Sequence, residues 1–227
     1  MKQSTQRQKV EAKETAILDA AHSVFAESGV DGAKISVIAK RAGVAEGTIY
    51  LYYRNKAELL DAVVGRFWRD LTEGASASIA PSASALEQLE ALARYHLMCI
   101  VDDYAFVSLT TAVRHGKSFD SHYINQIRGY VRLFDDIVHR GMDRGEIDAT
   151  LPVWQLRDMF YGSLEYSART LTLHGNAYND SVITTLMRLI KRGVAVNDHP
   201  PAGSGSRDAL QQISDRLERI ESALKRS

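Results

Sequence analysis

The residues with the clearest chemistry lie in a short segment near the N-terminus, between residues 34 and 56. Thr48 and Tyr52 carry hydroxyl groups that can donate hydrogen bonds to phosphate oxygens. Lys56 adds a cation, and Gly47 has no side chain, so a DNA backbone can approach closely. These groups have the chemistry of a surface that binds DNA. The candidate residues for it are Lys34, Ser36, Ala45, Glu46, Gly47, Thr48, Tyr50, Tyr52 and Lys56.

Two short predicted helices must position these side chains. Residues 35–42 and 47–53 have apolar residues at helical spacing, and Gly43 between them can take the positive φ that ends the first helix. Ile49 and Tyr53 are expected to face inward from the second helix. Two helices joined by a short turn with glycine form a helix-turn-helix, whose second helix fits the major groove. The alternative is a helical hairpin whose tyrosines only pack.

Helical spacing continues along nearly the whole chain, and no stretch alternates with period two for long enough to form a strand. The predicted fold class is therefore all-α. A break is expected over residues 74–85, where small residues and Pro81 occur. The predicted organisation is a three-helix DNA-binding domain over residues 1–55, an antiparallel helical ligand-binding and dimerisation domain over 56–196, a flexible linker over 197–206 and an amphipathic helix over 207–227.

The C-terminal helix carries apolar residues at alternating spacings of three and four, which is typical of a coiled coil. A coiled coil of ~20 residues is marginal by itself. The linker of about ten residues reaches roughly 18 Å, so two tails on one dimer would meet at high effective concentration. We predict that this helix is a further self-association element. The alternative is that it folds back on its own body. The apolar positions are Leu210, Ile213, Leu217, Ile220 and Leu224.

The charge of the chain excludes a basic coat over its whole surface, because 28 Lys and Arg balance 28 Asp and Glu. The balance is uneven, however, since residues 1–60 contain nine basic and seven acidic side chains. This mildly basic N-terminal part is compatible with DNA as a local partner. The single cysteine, the polar N-terminus and the lack of a long apolar segment predict a cytoplasmic protein without disulfides and without a membrane partner.

The helix-turn-helix segment resembles the DNA-binding signature of the tetracycline-repressor (TetR) family. The resemblance implies a homodimeric transcriptional repressor that a small molecule releases from its operator. A symmetric dimer presents two recognition helices about one DNA turn (~34–36 Å) or a multiple apart, so the operator is expected to be an inverted repeat. Lys34 and Ala45 stand where the family usually has hydroxyl residues. The matching residues are Ile38-Ala39, Ala42-Gly43-Val44, Gly47-Thr48-Ile49-Tyr50, Tyr52-Tyr53 and Asn55-Lys56 through Leu59.

Two segments of the larger domain, residues 130–147 and 159–166, are similar to fatty-acyl-CoA-responsive members of that family. The resemblance implies a hydrophobic effector, with long-chain acyl-CoA as the first candidate. An efflux-type repressor that senses drugs is one alternative, and an all-α ligand-binding or scaffold protein that does not bind DNA is another. Apolar side chains of the middle helices are candidates for an acyl tunnel, or else they are ordinary core. The ligand-binding candidates are Leu92, Tyr95, Met98, Phe106, Arg114, Tyr123, Ile127, Tyr130, Phe134 and Tyr161.

The resemblance also implies a dimer interface on the last two helices of that domain. The alternative is that their apolar faces pack only within their own chain. The candidate interface residues are Val153, Leu156, Phe160, Leu164, Val182, Leu186 and Leu189.

Metal and catalytic chemistry have little support in the sequence. His96 and Cys99 have the spacing of metal ligands on one helix, but the other histidines are scattered, so neither a metal site nor a cofactor is predicted. No Ser/His/Asp set, glycine-rich phosphate loop or pair of spaced carboxylates occurs. The sequence therefore predicts a binding protein and not an enzyme.

Overall fold

The computed structural model describes the backbone of residues 2–114 and 121–194, and the side chains of residues 7–110 and 125–194. These ranges contain nine helices and no strand, which confirms the all-α prediction. The predicted linker over 197–206 and amphipathic helix over 207–227 lie outside the described residues. The helices are α1 (Lys2–Gly32), α2 (Ile35–Ala42), α3 (Glu46–Tyr52), α4 (Lys56–Ser78), α5 (Ala85–Asp102), α6 (Tyr104–Arg114), α7 (Ser121–Asp143), α8 (Val153–Leu173) and α9 (Asp180–Val194).

Helix α1 begins earlier than its apolar periodicity indicates. Residues 7–15 are exposed, and the ion pair between Arg7 and Glu11, 2.8 Å long and four residues apart, supports this part of the helix. Apolar spacing cannot detect a polar helical extension of this kind. Regular helix is interrupted at Gly29, where φ is 69° and ψ is 174°, a conformation that glycine adopts without strain.

The expected break after α4 is wrong in its first half, because the helix continues through Gly74 to Ser78. Gly74 lies directly against α5, where a Cβ atom would collide with the ring and hydroxyl of Tyr95. Ala75 beside it is fully buried. The small residues therefore allow two helices to approach closely. Helix α5 then begins with a capping box between Ser84 and Glu87.

The helices enclose two hydrophobic cores that share α4. Leu59 and Val63 of α4 belong to the first core, together with α1, α2 and α3, whereas Leu71 and Ala75 belong to the second. Here "the head" means α1 to α3 with α4 up to Val64, and "the body" means the rest of α4 with α5 to α9. A single rigid helix thus runs from one core into the other, and this mechanically joins the head to the body.

Helix α5 is the centre of the body and packs against α4, α7, α8 and α9. Helix α6 packs against α1, and its Phe106 is fully buried in the first core. Within the described ranges, no helix is both long and apolar enough to cross a membrane.

Candidate nucleic-acid interface and effector site

The helix-turn-helix is built around Gly43. This glycine has φ 68° and ψ 31°, and α2 ends there because the Val44 amide donates to the Ala39 carbonyl at 3.0 Å. Ile38 of α2 and Ile49 of α3 are buried in the first core, which fixes the two helices to each other. The predicted positive φ at Gly43 is confirmed.

Helix α3 presents its N-terminal end and one face to solvent. Ala45 provides no side-chain cap, and the Thr48 amide donates to the Ala45 carbonyl at 2.8 Å. Glu46 and Gly47 are exposed, Tyr50 is 50% exposed and Thr48 is half-buried. Lys34 and Ser36 are exposed at the start of α2, so both helices have candidate DNA-binding residues at the surface. Leu51 of α3 is 84% exposed as well, although it is not among the candidate DNA-binding residues predicted from the sequence.

Two of the predicted DNA-binding residues also hold the head together. The Lys56 ammonium donates to the carbonyls of Asp31 and Ala33, at 3.2 and 3.1 Å, and so fixes the end of α1. The Tyr52 hydroxyl donates to the Val10 carbonyl at 3.4 Å. An ammonium has three donors, so Lys56 keeps one hydrogen for a phosphate while it anchors α1.

Ion pairs fix α1 against α2 and α4. Arg41 donates to both carboxylate oxygens of Glu27, at 2.6 and 2.9 Å, and this hydrogen bonding lowers the pKa of Glu27. Arg66 of α4 pairs with Asp19 at 2.5 Å. The head is thus a tightly connected unit whose α3 surface is held in a fixed orientation.

At the centre of the body lies a group of rings, named here the aromatic cluster: the buried His96, Tyr130 and Tyr161 and the half-buried Trp68. His96 Nδ1 is 2.7 Å from the Tyr130 hydroxyl oxygen, and the His96 and Tyr161 ring centres are 4.8 Å apart. Burial lowers the pKa of His96 to about 3, so its imidazole is neutral at pH 7. Tyr130 and Tyr161 were predicted, whereas Trp68 was missed and His96 was considered only as a metal ligand.

Next to the aromatic cluster is an apolar cavity of about 310 Å³ between α5, α7, α8 and α9. Phe134 and Phe160 line it, and their ring centres lie 5.9 and 5.1 Å from that of Tyr161. Its other lining residues include Leu89, Val138, Leu156, Leu186, Leu189 and Ile190. The cavity lining has no charged side chain among the described residues, which suits a hydrocarbon chain.

The other ligand-binding candidates are not gathered at one place. Tyr95 lines a separate cavity of about 280 Å³ near α1, together with Cys99. Met98 is 42% exposed, so the structure differs from the expectation of an interior position. Leu92 is buried in the second core, while Phe106 and Ile127 lie at the first. The side chains of Arg114 and Tyr123 lie outside the described residues.

The predicted dimer residues divide into two groups. Phe160 and Leu164 are 1% and 0% exposed within their own chain, which favours the alternative that they are core. Leu189 is 66% exposed, and Val153, Leu156, Val182 and Leu186 are half-buried. An exposed stripe at seven-residue spacing on α8 was missed, although its period is visible in the sequence. It consists of Met159, Tyr166 and Leu173, which are 69%, 69% and 70% exposed.

One side-chain contact connects α1 directly to the junction between α5 and α6. His22 Nε2 of α1 lies 2.7 Å from an Asp103 carboxylate oxygen. The His22 ring also lies against Phe106 of α6, with ring centres 4.1 Å apart. A movement of α6 would therefore displace side chains that contact α1. As for metals, the described part of the chain has no group of three His, Cys, Asp or Glu residues that could hold an ion.

Comparison with known proteins gives matches to both parts of the molecule. Residues 17–63 match the family described as bacterial regulatory proteins, tetR family, and residues 67–192 match the YsiA-like protein, C-terminal region. The fatty acid metabolism regulator protein of Bacillus subtilis is 30% identical over 181 residues, which cover 78% of this chain and 93% of that protein.

A solved structure and a second regulator show how these similarities are distributed. The transcriptional regulator FadR from Bacillus subtilis, in complex with stearoyl-CoA, superimposes with a TM-score of 0.70 at 28% identity, covering 79% of this chain and 98% of that one. The transcriptional repressor BepR of Brucella suis is 44% identical over only 62 residues, 26% of this chain and 30% of that protein. The similarity to the Bacillus protein therefore extends through the body.

Proposed function

The chain belongs to the tetR family of bacterial regulatory proteins, and we propose that it represses genes of fatty-acid metabolism until a long-chain acyl-CoA binds in its body. The observation that carries this proposal is the 30% identity to a fatty acid metabolism regulator along 93% of that protein. The stearoyl-CoA in the related FadR structure supports the class of effector.

On the DNA side, α3 enters the major groove and the exposed residues of α2 and α3 contact bases and phosphates. Gly47 lets the α3 backbone approach the duplex, while Tyr50 and Thr48 supply hydroxyl groups. The operator is an inverted repeat, because a two-fold symmetric dimer uses the same residues on each half-site.

The dimer forms through α8 and α9. The exposed stripe of Met159, Tyr166 and Leu173, together with exposed Leu189, supplies the apolar surface that a stable interface needs. Met159 and Leu189 also line the apolar cavity, so the cavity borders this interface. Residues 207–227 add a second self-association element. Light scattering of the full chain and of a chain ending at residue 196 tests this addition. An unchanged mass in the shortened chain would contradict it.

On the effector side, the alkyl chain occupies the apolar cavity and the adjoining aromatic cluster. Ligand binding favours a separation of the two α3 helices that does not fit the operator, so the repressed population falls. Two connections carry this change to the head: α4, which belongs to both cores, and the contact of His22 with Asp103 and Phe106.

The experiment is a fluorescence-anisotropy titration of DNA flanking the protein's own gene, at several salt concentrations, with and without palmitoyl-CoA. Palmitoyl-CoA is expected to weaken DNA binding about tenfold or more, as usual for coupled sites. Free coenzyme A is the matched control and should have no effect. Unchanged affinity with palmitoyl-CoA would overturn the effector assignment, and release by a hydrophobic drug instead would support the efflux-type alternative.

A further inference from the structure

Three polar atoms are buried in the aromatic cluster without a well-formed hydrogen bond to the described residues. They are Trp68 Nε1 of α4, His96 Nε2 of α5 and the Tyr161 hydroxyl of α8. Their rings are neighbours, because Tyr130 lies 5.6 Å from both Trp68 and Tyr161 and 5.5 Å from His96, measured between ring centres. Folded proteins keep few such atoms, since each loses its water without gaining a bond. Three such atoms in one cluster indicate a site that can bind a polar group of a ligand.

The chemistry of the three atoms defines that partner. The Trp68 indole N–H can only donate. Burial raises the pKa of Tyr161 and of Tyr130, so both hydroxyls remain protonated, and the two hydroxyls also interact with each other. If the Tyr130 hydroxyl donates to His96 Nδ1 across their 2.7 Å contact, His96 Nε2 carries the ring hydrogen and is the third donor. The matching ligand atom is therefore an acceptor, such as a carbonyl oxygen.

The same surroundings favour an uncharged acceptor over a carboxylate. The pKa of His96 is lowered to about 3 by burial, so the cluster contributes no cation at pH 7. Arg157, on the same helix as Tyr161, already pairs with Asp135, donating to its two carboxylate oxygens at 2.9 and 2.7 Å. A buried carboxylate would lack a compensating positive charge there, which is costly.

The cluster also adjoins the place where a hydrocarbon chain fits. Phe134 and Phe160 line the apolar cavity on one side and contact the Tyr161 ring on the other. A ligand that combines an alkyl chain with one uncharged carbonyl group satisfies both parts of this arrangement.

We propose that the aromatic cluster is a carbonyl-binding site, in which Trp68, His96 and Tyr161 surround the thioester carbonyl oxygen of the effector and two of them donate hydrogen bonds to its two lone pairs. The proposal rests on the function proposed above and adds a basis for specificity. The protein then detects the thioester itself, and it discriminates against ligands of equal chain length that lack the carbonyl or carry a free carboxylate.

The test is calorimetric titration of the full chain with palmitoyl-CoA and with S-hexadecyl-CoA, a thioether that has a methylene in place of the carbonyl. Palmitoyl-CoA is expected to bind about tenfold or more tightly, since several hydrogen bonds are at stake. Tyr161→Phe removes one hydroxyl and keeps the ring, and it should reduce this ratio about fivefold. Tyr104→Phe, which removes a half-buried hydroxyl of α6 outside the cluster, should leave the ratio unchanged.

The possible outcomes show whether the carbonyl site fails alone or together with the proposed function. Equal affinity for the two coenzyme A ligands overturns the carbonyl site but leaves acyl-CoA as the effector. Palmitate binding as tightly as palmitoyl-CoA overturns the preference for an uncharged group. If neither Tyr161→Phe nor His96→Phe changes the ratio of the affinities for palmitoyl-CoA and S-hexadecyl-CoA, the aromatic cluster does not bind the carbonyl group. Binding of neither coenzyme A ligand overturns the proposed function and this site together.

Discussion

The head and the body use their polar residues in opposite ways. In the head, the candidate DNA-binding side chains are exposed, or like Lys56 they are paired with backbone carbonyls, and the core beneath them is apolar. In the body, the surface of the apolar cavity is uncharged, while His96 and the hydroxyl of Tyr161 are enclosed at the centre.

This difference follows from the two ligands. A DNA duplex is too large to be enclosed, so its contacts must stand on an outer surface and work against water. A hydrophobic effector gains affinity by leaving water, so its few polar contacts are most discriminating when they are buried. The head and the body should therefore respond differently when equivalent polar groups are removed.

The largest effect is expected from the exposed face of α3. Thr48→Ala or Tyr50→Ala removes a DNA contact twice per dimer, so an ordinary loss of about 1–3 kcal/mol per half-site weakens operator binding about 30-fold or more. Fluorescence anisotropy measures this change. Because Tyr50 is 50% exposed, thermal unfolding and palmitoyl-CoA binding should stay as in the native chain. Parallel loss of effector binding would contradict the separation of the two regions.

The next effect concerns the buried imidazole of the body. The pKa of His96 is about 3 when folded, below its ordinary value of 6.5, so the unfolded chain takes up a proton that the folded chain does not. The free energy of unfolding therefore decreases by about 1.4 kcal/mol per pH unit as the pH falls from 6.5 toward 3, and this contribution is fully present above pH 6.5. Urea unfolding at pH 7, 6 and 5 measures this slope.

Two histidine variants isolate that slope. His96→Phe should unfold with a shallower pH dependence than the native chain, whatever its absolute stability. His174→Gln, which replaces an exposed histidine of the α8–α9 connection, should keep the native slope. Equal slopes in all three chains would show that His96 is not buried in the neutral form.

A smaller effect is expected at the contact that joins the head to the body. Asp103→Asn removes the charge opposite His22, 2.7 Å away, at the junction of α5 and α6. Palmitoyl-CoA should still bind, but its effect on operator affinity should fall about three- to tenfold, as for residues that carry coupling between sites. Anisotropy titrations with saturating palmitoyl-CoA measure it. Glu11→Gln, which breaks an exposed ion pair within α1 alone, is the control.

The two regions also differ in how far sequence alone predicts them. The head is local: the turn at Gly43, the inward position of Ile49 and the uncapped Ala45 all follow from residues within one segment, and the structure agrees with each. What local sequence did not predict is the structural role of Lys56 and Tyr52. Their bonds to α1 depend on how distant segments pack.

In the body, the informative contacts join residues far apart in sequence. Trp68, His96, Tyr130 and Tyr161 lie on four helices, and each has the ordinary apolar spacing of a core residue. Periodicity predicts that such side chains are buried, but not which polar atoms remain unpaired there. In the same way, Gly74 resembles a helix break until the close approach of Tyr95 is seen.

The smallest effect provides the most direct comparison of the two regions, because one hydroxyl can be removed from each core. In the head, the Tyr53 hydroxyl donates to a Glu14 carboxylate oxygen at 3.3 Å, so Tyr53→Phe should destabilise the chain by about 0.5–1 kcal/mol. In the body, the Tyr161 hydroxyl is buried beside the Tyr130 hydroxyl and makes no well-formed hydrogen bond within the described part of the chain. Tyr161→Phe should therefore leave stability unchanged or raise it by up to about 1 kcal/mol without ligand.

With saturating palmitoyl-CoA, Tyr161→Phe should lower the free energy of unfolding instead of leaving it unchanged or raising it. Tyr53→Phe should be destabilising with and without the ligand. At a given concentration, a ligand that binds more tightly stabilises the folded state more, and the native chain gains a hydrogen bond to the ligand that Tyr161→Phe cannot form. Urea unfolding with and without palmitoyl-CoA therefore distinguishes a hydroxyl kept for the fold from one kept for the effector. If Tyr161→Phe destabilised the ligand-free chain as much as Tyr53→Phe, the Tyr161 hydroxyl would have a partner within the protein, and the contrast between head and body would fail at that residue.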